Sequence, residues 1–373
     1  MRVAVEATSV APGGGLSFLR GAMRALGEQG GLEVDVYAQP WLAKEQLGPH
    51  VRVLVTRPFR GVWHRLTWIQ SEFPRRTAEY DAIFAPGNLA PLAVAAKTVL
   101  FVQNAHVVPQ PLWHGEYTAT KRRLQRLLAR LSIRRAGRVL FISETLKTWA
   151  RQYWCSNATE PGVAHPGVTL MAESRCVSRA GRDVLVVGNL VPHKRVDRTL
   201  RAFALLSRRI PVGRLRIAGS DASSGLMRSL REFTTREGIA QKVDFLGFLG
   251  ADALSHAYAS SGCYLSTSAL EAFPLPPLEA IAAGTPAVVP DTDPFREVCG
   301  TAGLYFADND EAIARRLADA LDETRWGSQL RRKARERAAM FSWPAFGETL
   351  VSALTGVAGR PSPGRSPSVI PAR

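Results

Sequence analysis

Short runs of Val, Ile, Leu and Ala recur along the chain, each followed by a stretch whose apolar positions have helical spacing. The first half holds RVAVEA, EVDVYA, VRVLV, DAIFA, TVLFV and RVLFIS; the second holds DVLVVG, RLRIAG, KVDFLG, CYLSTS and PAVVP. Strands alternating with helices predict an α/β protein whose parallel sheets are assembled from βαβ units. The series restarts at DVLVVG, after MAESRCVSRAGR, a stretch of little apolar periodicity that reads as a linker. The pattern therefore predicts two Rossmann-like domains, 1–170 and 171–342, joined near residue 175. A last helix over 343–356 is expected to return to the N-terminal domain. The segment 357–373, dense in Pro, Ser, Gly and Arg, is expected to be disordered.

At 373 residues and 46% hydrophobic content the chain can build two sizeable cores, which excludes a disordered protein. No run reaches the eighteen apolar residues of a membrane span, and MRVAVEATSV lacks the features of a signal peptide. A cytoplasmic protein, soluble or peripheral on the membrane, is expected. Cys155, Cys176, Cys263 and Cys299 form no CxxC pair and have no His at ligand spacing, so buried, reduced thiols are expected and no structural metal. The net charge is +16, and residues 1–170 carry much of it, with 21 Lys and Arg against 11 Asp and Glu. Nucleic acid, anionic lipid or phosphorylated small molecules all suit such a surface.

Ligands of these folds bind beyond the carboxyl ends of the strands, so the loops there are informative. After the first strand, Gly13, Gly14 and Gly15 open a helix, and such a turn either admits a ligand close to its backbone or is only a flexible connection. It is not a dinucleotide fingerprint, because Phe18 stands at the third glycine position, although Glu33 and Asp35 lie near the offset of a ribose-binding acid. In VVGNLVPHKRVD, the residues His193, Lys194 and Arg195 precede an amphipathic helix. They are either solvated surface or cations for a diphosphate. Further on, Glu271 and Glu279 are separated by seven residues that include Phe273, Pro274, Leu275, Pro276 and Pro277. The prolines predict a helix over Leu278 to Ala283 with Glu279 near its positive end. The two acids either bind hydroxyl groups at one rim or are a helix charge and a surface acid. A basic helix is expected over Thr120–Arg138, which holds eight Lys or Arg and no acid, with Leu124, Leu127, Leu128 and Leu131 in one stripe expected to pack on the core. Its arginines also suit a membrane surface.

Together these segments resemble a nucleotide-sugar-dependent retaining glycosyltransferase of family four, with the GT-B fold. The likeness runs from GGGLSFLR through VLFISETLKTWA and VAHPGV to the C-terminal motifs and the FSW at Phe341–Trp343. It implies that Glu279 holds the donor ribose, that Glu271 faces the donor sugar and that Lys194 binds the diphosphate. It also implies a donor site that includes Gly188, Asn189, His193, Arg195, Gly219, Phe273 and Leu275. The acceptor would lie at Gly13–Gly15, Gln103 and Asn104 on the N-terminal domain, and transfer would occur in the cleft. The resemblance implies no metal and no cofactor beyond the nucleotide sugar. Its acceptor would be a glycan or a lipid-linked molecule in cell-surface polysaccharide or glycolipid synthesis. The chain departs from the family at three places: Asn189 replaces a frequent Arg, Ala272 and Pro274 replace two glycines, and Gln103-Asn104 replaces His-Asp. His106, three residues on, is the candidate catalytic histidine of the acceptor side. An epimerase or phosphorylase of the same fold is the nearest alternative. A nicotinamide-dependent oxidoreductase lacks its GxGxxG here, and a nucleic-acid partner is not expected because no module for one is present.

Overall fold

Strand pairing is parallel throughout the two sheets of this computed structural model, which describes residues 1–11, 13–109, 119–153, 160–168, 182–221 and 225–358. The described chain divides into two units: one takes the residues up to Gly167 and again from Ser342, the other takes Val168–Phe341. The expected linker, apart from its last arginine, lies outside the described residues, as do Cys155, Cys176 and the expected tail beyond residue 358.

The first sheet has seven strands: β1 (Arg2–Glu6), β2 (Glu33–Ala38), β3 (Val51–Val55), β4 (Ala82–Ala85), β5 (Thr98–Val102), β6 (Arg138–Phe141) and β7 (Gly162–Val163). Their spatial order is β3-β2-β1-β4-β5-β6-β7. The helices of this unit are α1 (Gly14–Glu28), α2 (Val62–Arg76), α3 (Ala119–Arg135) and α4 (Glu144–Trp149). Strands β4 and β5 are buried at every position, as expected when helices cover both faces of a parallel sheet.

The second sheet has six strands: β8 (Val184–Val187), β9 (Leu215–Ala218), β10 (Val243–Gly247), β11 (Cys263–Leu265), β12 (Ala287–Pro290) and β13 (Gly303–Phe306). They are ordered β10-β9-β8-β11-β12-β13. Helices α5 (Val196–Arg209), α6 (Leu226–Arg236), α7 (Ala251–Ser260), α8 (Leu275–Ala282), α9 (Asp293–Cys299), α10 (Asp310–Leu321) and α11 (Glu323–Ala338) complete this unit. Its core joins Phe203 and Leu206 of α5 to Ile217, Leu265 and Val288 of the sheet and Leu317 of α10. The α/β architecture with two Rossmann-like sheets is thus the one the pattern predicts.

The last helix, α12 (Trp343–Val357), packs in the first unit against α1 and strands β4, β5 and β6. Phe18 of α1 stacks on Phe101 of β5 with centroids 5.0 Å apart, and Phe346 of α12 meets both rings edge-on at 5.6 and 5.7 Å. The close approach requires Gly21, where a Cβ would lie 2.1 Å from the Trp343 ring.

Three local readings are corrected. The basic helix ends at Arg135 rather than Arg138, because Gly137 must pass the carbonyl oxygen of Ala96, 1.9 Å from where a Cβ would sit. In that helix Ala129, Ser132 and Ile133 are buried, while Leu127 is 53% exposed and does not join a core stripe. Helix α8 begins at Leu275, three residues early, because Pro276 and Pro277 occupy first-turn positions whose N–H groups have no intrahelical partner. Strands β7 and β13 were not apparent from the pattern: the first has two residues and the second opens on a glycine.

Candidate functional site

In the second unit the strand order reverses between β8 and β11, so the loops leaving these strands part at the topological switch point. Both loops carry the residues singled out from sequence. The chain leaves β8 at Gly188, with φ +149°, and leaves β9 at Gly219, with φ +152°. A Cβ on Gly219 would lie 1.9 Å from the Gly188 carbonyl oxygen, and the Gly219 N–H donates to Gly247 at 2.7 Å. Gly219 is therefore a packing glycine beneath the first loop. Past an exposed Asn189, a 3-10 turn over Pro192–Lys194 leads to Arg195 in the left-handed region, with φ +51°, and into α5.

Lys194 extends beside Gly188, where a Cβ would come 3.5 Å from its Cε, and its Nζ meets Glu271 Oε1 at 2.6 Å. This partly buried ion pair joins the loops after β8 and β11, 77 residues apart in sequence. Thr267 holds the pair in place. Its hydroxyl hydrogen is shared between the carbonyl oxygens of Lys194 (3.0 Å) and Arg195 (2.9 Å), and the Thr199 hydroxyl lies 2.9 Å from it. The His193 carbonyl accepts from the Ala269 N–H at 2.8 Å and from the Ser268 hydroxyl at 3.4 Å. Thr267 and Ser268 are buried positioning residues that sequence reasoning passed over; the polar STS after a three-residue strand was the available signal.

Glu279 lies in the second turn of α8, further from the positive end than the sequence suggested. Its Oε2 accepts a 2.7 Å hydrogen bond from the hydroxyl of Tyr258 in α7. Burial raises the Glu279 carboxyl above its ordinary pKa, and the Tyr258 bond opposes that rise. Tyr258 itself is pushed well above its usual value by burial and by the nearby Glu279 charge, so it stays a donor. The start of α8 offers few backbone donors. Pro274 caps it and Pro276 and Pro277 follow, leaving the Leu275 N–H among these four positions.

Two other residues of the expected donor site have partners within the protein. Arg195 turns its guanidinium to Asp308 at 3.2 Å, in a network where Arg198 and Arg201 bind Asp310 at 2.9 and 2.8 Å. Phe273 is buried against Phe341, with ring centroids 5.6 Å apart. Of the loop's basic residues, Lys194 is the one seen paired with Glu271.

In the first unit the order reverses between β1 and β4. Gly13 caps α1 with φ +99°, and Gly14 and Gly15 are its first residues; a Cβ on Gly13 or Gly14 would meet nothing within 4 Å. Glu6, at the end of β1, is buried and accepts from the Thr8 N–H at 3.0 Å and from the Thr8 hydroxyl. Burial raises its pKa, against the Thr8 bonds and the positive charge of Arg65. Beyond β4, Asn88 adopts φ +66°, and its Oδ1 accepts the N–H groups of Gln103 (2.8 Å) and Asn104 (3.0 Å). Gln103 Nε2 donates to the Pro86 carbonyl at 2.7 Å, and Asn104 Oδ1 accepts the His106 N–H at 2.9 Å. Gln103 and Asn104 therefore brace the β4 loop, with His106 half-buried in the next 3-10 turn. Asp35, the candidate ribose acid, is engaged instead by Arg52 at 2.7 Å and by the Tyr80 hydroxyl at 2.5 Å.

Among the described residues no three His, Cys, Asp or Glu side chains gather as metal ligands, and no helix is long and apolar enough to cross a membrane. Cys263 and Cys299 are buried free thiols, and burial pushes Cys299 up to about 12.

Two doubly wound sheets with a Lys–Glu pair and a second acid at the C-terminal switch point define a GT-B fold. Within it, residues 179–340, which make up most of the second unit, match the model of the family Glycosyl transferases group 1. The chain is 35% identical over 205 residues to the D-inositol 3-phosphate glycosyltransferase of Frankia alni, covering 49% of this chain and 50% of that protein. It is 30% identical over 164 residues to O-antigen chain mannosyltransferase B of Escherichia coli, covering 43% and 42%. The chain thus spans about half the length of these curated relatives. The fold as a whole is similar to that of Anabaena HepE in complex with UDP and glucose, with a TM-score of 0.76 at 19% identity over 95% of this chain and 99% of that one.

Proposed function

We propose that the protein is a retaining hexosyltransferase that moves a sugar from a nucleotide-sugar donor to a glycan or lipid-linked acceptor in cell-surface polysaccharide or glycolipid synthesis. The observation that carries this reading is the Lys194–Glu271 pair at the switch point, eight residues before Glu279, inside the group 1 domain. Leaving-group departure from a nucleotide sugar develops negative charge on the diphosphate. Lys194 Nζ neutralises that charge, so no step requires a bound metal. Glu279 accepts hydrogen bonds from the ribose hydroxyls, and Glu271, released from Lys194, accepts from the sugar. The departing phosphate oxygen takes the acceptor's proton on the same face, and no side-chain base is needed. The acceptor sits at the carboxyl edge of the first sheet, beside Gly13–Gly15, Asn88 and His106. Support for the donor comes from the fold likeness to a protein that holds UDP and glucose, and from relatives named as glycosyltransferases.

A thermal-shift series with UDP, GDP and ADP, followed by transfer assays with the matching nucleotide sugars, tests the reading. One nucleotide should raise the melting midpoint in wild type by mass action, and less in Lys194→Ala. No response to any of the three, with no sugar transfer or donor hydrolysis, would overturn it. Conversion of the donor to its epimer without an acceptor would assign the site to the alternative reaction.

A further inference from the structure

Strand β1 ends at Glu6, beside the place where the order of the first sheet reverses between β1 and β4. Strand residues alternate between faces, so Glu6 lies on the side of Ala4, which packs with Trp68 and Ile69 of α2. An apolar residue would continue that core. The chain instead buries a carboxylate there, 1% exposed. Taking a carboxylate out of water is unfavourable unless its oxygens are hydrogen-bonded, and here the bonding is uneven. The Thr8 N–H and the Thr8 hydroxyl both donate to Oε1, and among the described residues no donor reaches Oε2. Burial works against the charge, while the Thr8 bonds and half-buried Arg65, near the start of α2, work for it.

The surroundings of Oε2 are fixed from two sides. Gln39 Nε2, after β2, donates to the Thr8 carbonyl at 2.7 Å and so braces the turn that follows β1. On the other side the chain leaves β4 through Pro86 and Gly87. A Cβ on Gly87 would stand 3.1 Å from Glu6 Oε2 and 2.6 Å from the Ser9 hydroxyl oxygen, so the glycine keeps the gap beside them open. Ser9 and Gly87 are both partly exposed, which gives the gap a mouth at the carboxyl edge, where a doubly wound sheet receives its ligand. Holding the Thr8 turn needs Oε1 alone, and a neutral glutamine would do that without a buried charge. The charge and the second oxygen are left for a ligand.

We propose that Glu6 Oε2 accepts a hydrogen bond from a hydroxyl group of the acceptor, and thereby selects an acceptor whose bound end is a sugar rather than a phosphate. The proposal rests on the glycosyl-transfer reading of this edge. A sugar hydroxyl both donates and accepts, and the Ser9 hydroxyl flanks the same gap to donate in return. A phosphate would meet the carboxylate as a like charge at short range. Discrimination is strong at such a site, because a buried acceptor atom left unpaired penalises every ligand that lacks the matching hydroxyl.

Saturation-transfer NMR on the full chain, with the methyl α-glycosides of glucose, mannose and galactose as probes, reads sugar binding with no donor present. Thermal-shift titrations with UDP, GDP and ADP run alongside, so a missing nucleotide response reports on the donor reading and a missing sugar response on Glu6. Wild type should bind at least one glycoside. Glu6→Gln keeps an oxygen for Thr8 but puts an amide N–H₂ at Oε2, and should weaken that glycoside about tenfold with the melting midpoint and nucleotide response unchanged. A residue that only held the turn would do the reverse, lowering the midpoint and leaving the sugar affinity alone. Gly87→Ala crowds Oε2 at unchanged charge and should weaken the same glycoside by a similar factor, which decides the matter if Glu6→Gln melts early. Inorganic phosphate should not displace the glycoside. Three outcomes overturn the proposal: no glycoside bound by wild type, wild-type affinity in either folded variant, or displacement by phosphate that strengthens in Glu6→Gln.

Discussion

Replacing Tyr258 with Phe removes one oxygen atom and tests how the Glu279 carboxylate is prepared. Tyr258 is buried, its ring packs 6.2 Å from that of Tyr264, and its carbonyl accepts from Thr285 Oγ1 at 2.7 Å, so Phe keeps the packing and the backbone contact. What is lost is the 2.7 Å hydrogen bond to Glu279 Oε2. A hydrogen bond to a charged group contributes about 1.5–3 kcal/mol, and its loss carries the titration of Glu279 higher. The direction follows from the opposing causes: burial raises this carboxyl and the Tyr258 bond lowers it, so burial acts alone once the hydroxyl is gone. Because the folded pKa lies above the ordinary 4.5, the native state holds a proton that the unfolded chain has released. The contribution of Glu279 to stability is therefore greatest below pH 4.5 and declines as pH rises through its raised value. Tyr258→Phe extends that decline to higher pH. In the donor site the effect should be a KM for the nucleotide sugar raised about tenfold toward acid pH, with kcat at saturation close to wild type and the difference closing as pH rises. Initial rates over a pH series, with melting midpoints alongside, make the measurement. An unchanged donor KM and pH profile in a folded variant would refute the coupling, and a fall in kcat alone would show that Glu279 acts on the transition state instead.

Lys194→Ala should lower kcat by about 10²–10³ with the melting midpoint nearly unchanged, and wild-type turnover would remove the lysine from leaving-group stabilisation. Thr267→Val leaves the Lys194 and Arg195 carbonyls without their hydroxyl partner, and should cost about 1–3 kcal/mol in denaturant melts together with a loss of activity. Gly219→Ala forces a Cβ toward the Gly188 carbonyl and should destabilise by about 1–3 kcal/mol, whereas Gly14→Ala, placed in open space, should leave the midpoint near wild type. Phe346→Ala opens the aromatic cluster under α12 and should cost about 3–5 kcal/mol; a smaller change would mean that the helix is held by other contacts.

The parallel α/β architecture was legible because buried strands such as TVLFV write their burial directly into composition. So was the proximity of chemistry to strand ends, since Lys194, Glu271 and Glu279 follow β8 and β11 in the order that a doubly wound sheet requires. What the pattern did not carry is contact over long sequence separation. Nothing near Tyr258 announces a bond to a carboxylate 21 residues on, and nothing near Thr267 announces its grip on carbonyls 72 and 73 residues back. The protein partner of Arg195 was hidden for the same reason. Its neighbour Asp308 is 113 residues away, and a basic run reads identically whether it faces a phosphate or an aspartate. The helix start at Leu275 was obscured by prolines that punctuate a chain as readily as they open a helix.

The position of α12 sets an order for the birth of the molecule. On the ribosome the segment up to Gly167 emerges long before Ser342, so the first sheet and α1 exist for the whole synthesis of the second unit without their last helix. During that interval the ring faces of Phe18 and Phe101 that Phe346 later covers, and the groove at Gly21 that receives Trp343, stay open. The second unit, continuous over Val168–Phe341, can complete its core first. The unit that begins the chain is therefore the one finished last, and a nascent chain stopped short of Ser342 would offer a chaperone an aromatic surface that the finished protein never shows.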